Sequence, residues 1–354
     1  MRPRLKPVLR RVERDGRTLQ FGVHPARATV LTDLQPAVRR FVESLDGTRT
    51  LDQAVSASAL GAGAAREVIA LLVRHGLVED ASARPGELAA LSREEREVLR
   101  PELDRLSLAA TDGGLAGLRR RRAAHVRVYG AGRVGAQVAA LLAASGVGHL
   151  CVVDAGTARP QDVAPGGLGR HEVGASREEG AVAVARRLAP GINAWTGRTA
   201  SRPADGARRP DLVLLAPVEP LDALLVRELH AAGIPHLLVT AFEGYGCVGP
   251  LVIPGVTPCL GCHDLFRRDR DPSWPAVQAR LGGFPAGEIA CDAALSALVA
   301  AQAAGQALAW LEGAAVRDGT LEISPDWGWN RSTSHRHPRC SCSRNPGASL
   351  TMVA

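Results

Sequence analysis

The sequence predicts an α/β protein in which a domain with a parallel-rich sheet follows a small α+β domain. Two observations predict this arrangement. Residues 128–154 contain, in order, a strand, a glycine-rich turn, a helix and a second strand. Residues 1–80 contain three short strand patterns followed by three helix patterns. The chain of 354 residues is long enough for two or three domains, each with its own core.

The first predicted domain is small and winged-helix-like. PVLRRVERDGRTLQFGV alternates around RDGR, which is typical of a β-hairpin, and ATVLTD at 28–33 is a third short strand. QPAVRRFVESL, LDQAVSASA and AAREVIALLVRHGLVED predict three helices, the last closed by Gly76. The simplest role for such a domain is folding or dimerisation, which would make the protein a homodimer. The predicted divisions of the chain are domain 1–82, helical connector 83–103, domain 104–325 and tail 326–354.

Charge and composition narrow the class of protein. The formal net charge is +7, but Lys6 is the only lysine and aromatic residues make up 3% of the chain. No aromatic side chains interleave the basic run at 119–122, so nucleic-acid binding is not favoured. No apolar run follows the basic N-terminus, and the apolar stretch 289–311 contains Asp292 and two glutamines. We therefore expect a cytoplasmic protein with a buried helix at 289–311, not a membrane span.

The glycine-rich turn predicts a nucleotide site. Gly130, Gly132 and Gly135 form a G-x-G-x-x-G motif directly after a strand and before a helix. The first glycine permits the tight turn, the second lets a phosphate approach the backbone, and the third lets helix and strand pack closely. Asp154 ends the next strand, where an acid can hold ribose hydroxyls. The motif predicts a Rossmann-like domain, and NAD is its usual ligand.

Four cysteines predict a metal site. Cys259 and Cys262 form one close pair, and Cys340 and Cys342 form a second pair far along the chain. In a reducing compartment such pairs more often bind metal than form disulfides, and two pairs can converge on one tetrahedral zinc. Four separate core thiols are the alternative. A site closed by four sulfurs would be structural, tying the tail to the second domain.

The sequence of residues 104–345 resembles the ThiF, MoeB and ubiquitin-activating family. The resemblance lies in LDRLSLAATDGGLAGLRRRRAAHVRVYGAGRVG, GVGHLCVVDAGTARPQDV, EVGASR, AAGIPHLLVTAFEGYGCVGPLVIPGVTPCLGC and the late cysteine pair, in that order. It implies a fold in which the glycine loop serves ATP and magnesium, and an activity that adenylates a C-terminal carboxylate. Arg105 and Arg177 match phosphate-binding positions of the family, Asp154 matches its ribose acid, and Asp162 matches an Asn or Asp in the loop that follows.

One family position is lost in DLVLLAPVEP. The family has an acid there that helps to hold magnesium, whereas this chain has Val218, followed by Glu219. Valine offers no oxygen ligand to a hard cation, so we expect degraded adenylation. Arg177, Glu219 and Asp162 are the remaining candidates for a catalytic role. Cys291 lies near the thioester cysteine of some members, although a buried thiol is favoured over a reactive one.

The first domain resembles the PqqD-like domains that bind leader peptides. The resemblance rests on LDGTRTLDQAV followed by LLVRHGLVED. A PqqD-like domain joined to a ThiF-like domain resembles the leader-binding partner of azoline-forming cyclodehydratases, in which a separate YcaO-type enzyme uses the ATP. Three hypotheses follow: a peptide-binding and presenting protein, a working adenylyltransferase that acts on a peptide or small-protein C-terminus, and an NAD oxidoreductase. The first is favoured, and the cysteine pairs argue against the third.

Overall fold

The computed structural model describes residues 1–83, 86–197, 208–217, 221–281, 290–315 and 319–343. The chain divides into two compact units, Met1–Arg120 and Arg121–Ala354. The domain boundaries given from the sequence at 82, 103 and 325 remain predictions.

Within the described residues, the N-terminal unit combines short strands with six α-helices, the last of which continues in sequence past the boundary between the units. A three-stranded antiparallel sheet has the order β2-β3-β4, and β1 pairs separately with β5. The elements are β1 (Pro3–Leu5), β2 (Arg11–Asp15), β3 (Thr18–Phe21), β4 (Thr29–Leu31), α1 (Pro36–Glu43), α2 (Leu51–Ser56), α3 (Ala62–Arg74), β5 (Val78–Asp80), α4 (Arg93–Val98), α5 (Arg100–Ser107) and α6 (Leu115–Ala123).

Local sequence explains these elements. The β2–β3 hairpin turns at Gly16 and Arg17, within the RDGR signal. The side chain of Thr50 caps α2 by accepting from the backbone of Gln53, whose own side chain accepts from the backbone of Thr50. One apolar core joins the small sheet to the helices, with buried residues that include Leu19, Phe21, Phe41, Val42, Ile69 and Leu72. The predicted order of three strands and three helices is confirmed, while the β1–β5 pair was not predicted.

The C-terminal unit is built on an eight-stranded sheet with the order β13-β12-β11-β10-β9-β6-β7-β8. Strands β6 to β10 are parallel, and β11 to β13 extend the sheet in antiparallel fashion. The strands are β6 (His125–Tyr129), β7 (His149–Val153), β8 (Asn193–Thr196), β9 (Leu212–Leu215), β10 (His236–Phe242), β11 (Tyr245–Val252), β12 (Thr320–Ile323) and β13 (Trp329–Ser332). The helices are α7 (Gly135–Ala144), α8 (Arg177–Leu188), α9 (Ala223–Ala231), α10 (Leu260–Arg270), α11 (Trp274–Leu281) and α12 (Ala293–Leu311).

The strand order fixes where a ligand can bind. The chain runs outward from β6 to β8, then returns to the other side of β6 to form β9 and β10. The order reverses between β6 and β9, and ligands of open α/β sheets bind at such a switch point, beyond the carboxyl ends of the strands. The glycine turn predicted from the sequence follows β6 at this point. The predicted α/β class with a parallel-rich, Rossmann-like sheet is confirmed.

The apolar helix α12 is long enough to span a membrane by length and composition alone. It packs instead against α7, β10 and β11, and Leu295, Val299 and Ala303 are part of the main core. The buried helix expected at this position is therefore present, beginning at Ala293 after the Asp292 N-cap.

Candidate nucleotide and metal sites

The glycine loop leaves no room for side chains at two of its three glycines. Gly130 has a φ of 91°, and a Cβ placed there would lie 1.9 Å from the carbonyl oxygen of Ala216 after β9. A Cβ at Gly135 would lie 1.9 Å from the carbonyl oxygen of Gly130. Gly132 lines a cavity at the turn. The three glycines thus hold β6, β9 and α7 close together beside an open space, as a phosphate-binding turn requires.

Asp154 stands at the carboxyl end of β7 and is 8% exposed. Its Oδ2 accepts a hydrogen bond from the backbone N–H of Ala131 at 2.7 Å, so this acid holds the glycine loop directly. Its Oδ1 accepts from the backbone N–H of Gly156, also at 2.7 Å. The carboxylate therefore has the position expected of a ribose-binding acid but already has partners within the chain.

Arg177 supplies further partners to the same acid. Its Nε and Nη2 both lie 3.0 Å from Oδ1 of Asp154, and its Nη1 lies 3.7 Å from Oδ2 of Asp162. Asp162 also accepts from the backbone N–H of Arg159 at 2.9 Å and pairs with its side chain at 3.3 Å. Arg177 and Asp162 are 7% and 4% exposed. The site residues predicted here thus form one buried ion-pair network, in which Arg177 lies against the predicted ribose acid.

Two cavities flank this network. The first is lined by Gly132, Arg133, Arg159, Asp162 and Cys291, with apolar residues of β10. The second is lined by Asp154 and by residues after β7 and at the start of α8.

Two arginines of the first cavity were not predicted from the sequence. Arg133 lies within the glycine motif and donates from Nη1 to the carbonyl oxygens of Gln161 and Val163, at 2.8 and 3.0 Å. Arg159 comes from the loop after β7. The only sequence signal was a basic residue inside the motif. Burial raises the pKa of the Cys291 thiol above its ordinary value, although the neighbouring Arg133 acts to lower it, so this thiol is not activated.

The sequence predictions also concern Arg105, Val218 and Glu219. Arg105 lies on α5 in the N-terminal unit, whereas the glycine loop belongs to the C-terminal unit. Val218 and Glu219 fall outside the described residues.

The four cysteines predicted to bind metal lie together. The Sγ atoms of Cys259 and Cys262 are 3.8 Å apart, those of Cys259 and Cys340 are 3.5 Å apart, and those of Cys262 and Cys342 are 3.3 Å apart. All four lie within 4.8 Å of one another. Zinc–sulfur bonds of about 2.3 Å in a tetrahedron place the sulfurs about 3.8 Å apart, so the donor set fits such an ion. These four residues could hold a metal ion.

Local structure positions the two pairs. Cys259 is the N-cap of α10 and Cys262 lies in its first turn, while Cys340 and Cys342 lie at a short 3-10 turn near the end of the described chain. Burial raises the pKa of Cys259 and brings that of Cys340 to about 11. Without a cation the thiols of Cys259 and Cys340 stay protonated at neutral pH. The pKa of Cys342 is lowered, because hydrogen bonds with the other cysteines outweigh the opposing effect of burial. A bound metal would convert its ligand thiols to thiolates.

The family model for the ThiF family matches residues 105–342. This match covers the glycine loop, Asp154, Arg177 and the cysteine pairs. The chain belongs to the ThiF family. The resemblance drawn from the glycine motif and the cysteines is confirmed.

Solved structures share the fold of this ThiF-family chain over nearly its whole length. The Microcin C7 biosynthetic enzyme MccB in complex with N-formylated MccA is 14% identical, covers 97% of this chain and 99% of its own, and gives a TM-score of 0.71. Escherichia coli MccB with ATP is also 14% identical, with 97% and 99% coverage and a TM-score of 0.73. PaaA is 18% identical, with 93% and 99% coverage and a TM-score of 0.68. A comparison with curated proteins gives no match.

Proposed function

We propose that this ThiF-family protein binds a precursor peptide through its N-terminal unit and presents it to a separate modifying enzyme. That enzyme would be a YcaO-type cyclodehydratase of azoline-type natural-product biosynthesis, acting in the cytoplasm. The observation that carries the proposal is the match to peptide-bound MccB, which extends over 97% of this chain and therefore includes the N-terminal unit. The PqqD-like pattern of that unit supports the same partner.

The edge strand β4 is the best candidate for the peptide-binding element. Within the described residues β4 pairs with β3 alone, so one side of its backbone is unpaired. An extended peptide can add to such an edge and gain main-chain hydrogen bonds. Leu31 of β4 and Val68 and Val73 of α3 pack against the same core. Arg74 of α3 is exposed and could pair with an acid of the peptide. Arg66 of the same helix lies 3.3 Å from Asp52.

The metal and the nucleotide have different roles in this proposal. Zinc held by Cys259, Cys262, Cys340 and Cys342 would be structural, because four protein sulfurs leave no open coordination position. ATP is not turned over, because Val218 replaces the magnesium-binding acid and Arg177 pairs with the ribose acid. Magnesium therefore has no complete site in the proposed function.

The test uses two matched proline variants of the full chain. Val30 on β4 and Val12 on β2 both pair with Gln20, from opposite sides of β3, and are 36% and 40% exposed. A proline removes a backbone N–H and disrupts an edge strand in either place. Binding is measured by fluorescence anisotropy with a labelled candidate precursor peptide. A micromolar dissociation constant, ~8 kcal/mol, is expected for the unchanged protein.

The two variants separate peptide binding from damage to the sheet. Val30→Pro should weaken binding by more than about tenfold, whereas Val12→Pro should change it by less than about threefold, since ~1.4 kcal/mol corresponds to a factor of ten. Circular dichroism checks that both variants keep the secondary structure of the parent. Equal loss of binding in both variants, or no loss in Val30→Pro, would refute the assignment of β4.

Adenylation of a peptide or small-protein C-terminus is the second candidate function. The match to MccB solved with ATP favours it, as does the position of Asp162 in the cavity beside the glycine loop. In that case Glu219 or Asp162 would replace the acid lost at Val218. The two candidates differ in whether ATP is consumed, and pyrophosphate exchange distinguishes them.

A further inference from the structure

We propose that Arg177 closes the nucleotide site, and that an adenine nucleotide binds only after the pair between Arg177 and Asp154 has opened. The inference rests on the second candidate function, and not on peptide binding, in assigning an adenine nucleotide to the glycine loop. It makes Arg177 the residue that determines whether this site is open, instead of a residue that holds phosphates.

The hydrogen-bond capacity of Asp154 is nearly used up. Each oxygen of a carboxylate offers about two acceptor positions. Oδ1 already lies within hydrogen-bond distance of the backbone N–H of Gly156 and of two nitrogens of Arg177. Oδ2 accepts from Ala131. One acceptor position on Oδ2 remains, whereas a ribose offers two hydroxyl groups to such an acid. Nucleotide binding therefore requires the guanidinium to move.

Gly156 makes room for the guanidinium in its closed position. A Cβ at residue 156 would lie 2.1 Å from Nη2 of Arg177, and the nearest atoms it would meet all belong to that side chain. The backbone of Gly156 is not among the glycines with positive φ, so its conformation alone does not demand glycine. Arg177 fills the space that a side chain at residue 156 would occupy. This steric observation, independent of the hydrogen bonds, supports the closed position of the guanidinium.

Arginine holds the closed position better than lysine would. The planar guanidinium contacts Asp154 with two nitrogens and turns a third toward Asp162. Lysine carries a compact ammonium on a flexible stem and lacks this fork. If only a fraction of molecules is open, the apparent affinity for a ligand falls by that fraction. A residue that releases Asp154 should therefore tighten nucleotide binding.

The experiment compares three variants of the full chain by isothermal titration calorimetry with ATP and with adenosine. Arg177→Lys keeps the charge but loses the fork, and Arg177→Gln removes the charge. Arg187→Lys is the matched control, because Arg187 lies on the same helix and pairs with Glu172 at 2.9 Å, outside the two cavities. Adenosine has no phosphates, so a change in its affinity cannot come from new phosphate contacts.

We expect Arg177→Lys to bind ATP at least about tenfold more tightly than the unchanged protein, and Arg177→Gln to bind adenosine more tightly by a similar factor. Arg187→Lys should behave as the unchanged protein does. The proposal is overturned if the unchanged protein binds both ligands as tightly as the variants, or if neither folded Arg177 variant shows binding. Peptide binding is measured on the same samples, and its absence would refute the proposed function without altering the nucleotide result.

Discussion

Two clusters of ionisable side chains in the C-terminal unit differ in how their negative charge can be balanced. Beside the glycine loop, two buried acids, Asp154 and Asp162, are neutralised by Arg159 and Arg177 from the chain itself. In the second cluster, each of the four cysteines could carry a negative charge as a thiolate, and none of the four residues is basic. A buried charge is costly unless it is paired, so the acids of the first cluster are stabilised by arginines of the chain, whereas the cysteines would become thiolates on binding a metal. We therefore predict that a metal at the cysteines, and not a nucleotide at the glycine loop, stabilises the folded state.

Breaking the cysteine cluster should have the largest effect. Cys340→Ser removes one thiolate from the proposed zinc site, and structural zinc contributes about 10 kcal/mol or more to folding, comparable to the whole stability of a domain. We expect zinc content near zero and a loosened C-terminal region, measured by elemental analysis and by limited proteolysis. Cys247→Ser is the control, because Cys247 is a free cysteine outside the cluster. Fully folded parent protein that contains no metal would contradict this prediction.

A smaller effect, on the pH dependence of the free energy of unfolding, is expected at two stacked histidine rings. His125 and His149 stack with ring centroids 3.9 Å apart, and neither ring nitrogen of His125 has a hydrogen-bond partner within the described chain. Burial, together with His149 and Arg208, lowers the pKa of His125 to about 4, against the opposing effect of Asp211. Burial likewise lowers the pKa of His149, with Arg208 and Arg122 adding to the effect and Asp211 opposing it.

The sign of the resulting pH dependence follows from the lowered pKa. Between the ordinary histidine pKa of about 6.5 and the folded value, the unfolded chain binds a proton that the folded chain does not. The free energy of unfolding should therefore decrease as the pH falls from 7 to 4. His125→Phe keeps a stacked ring without a proton site, so its urea midpoint should depend less on pH over this range. Equal pH dependence of variant and parent would show that His125 does not contribute.

The sequence predicted the cysteine cluster more completely than the cluster of acids and arginines, for a physical reason. Cys259, Cys262, Cys340 and Cys342 carry their chemistry in the residue type, and two close pairs can converge in few ways. Gly130 and Gly135 were predictable because Gly130 lies too close to Ala216, and Gly135 too close to Gly130, for either to carry a side chain. The contact of Arg177 with Asp154 was not predictable, because an arginine can turn toward a phosphate or toward an acid with little change in sequence pattern. The packing of Arg177 at Gly156 and the nearby Asp162, which only the structure shows, place this arginine against Asp154.

Helices and strands of the N-terminal unit followed from local signals such as RDGR and the Thr50 cap. The β1–β5 pair did not, because it joins Pro3–Leu5 to Val78–Asp80 across most of the unit. Pairing over such a sequence separation leaves no periodic signal in either three-residue strand.

Pyrophosphate exchange tests the central claim most directly, namely that the glycine-loop site does not activate a carboxylate. The full chain is incubated with ATP, magnesium, labelled pyrophosphate and the candidate precursor peptide used in the binding test. With Val218 in place of the magnesium-binding acid and Arg177 paired with Asp154, we expect exchange at the background of a sample without protein. Robust, peptide-dependent exchange that disappears in Glu219→Ala would contradict the account and establish the protein as an adenylyltransferase.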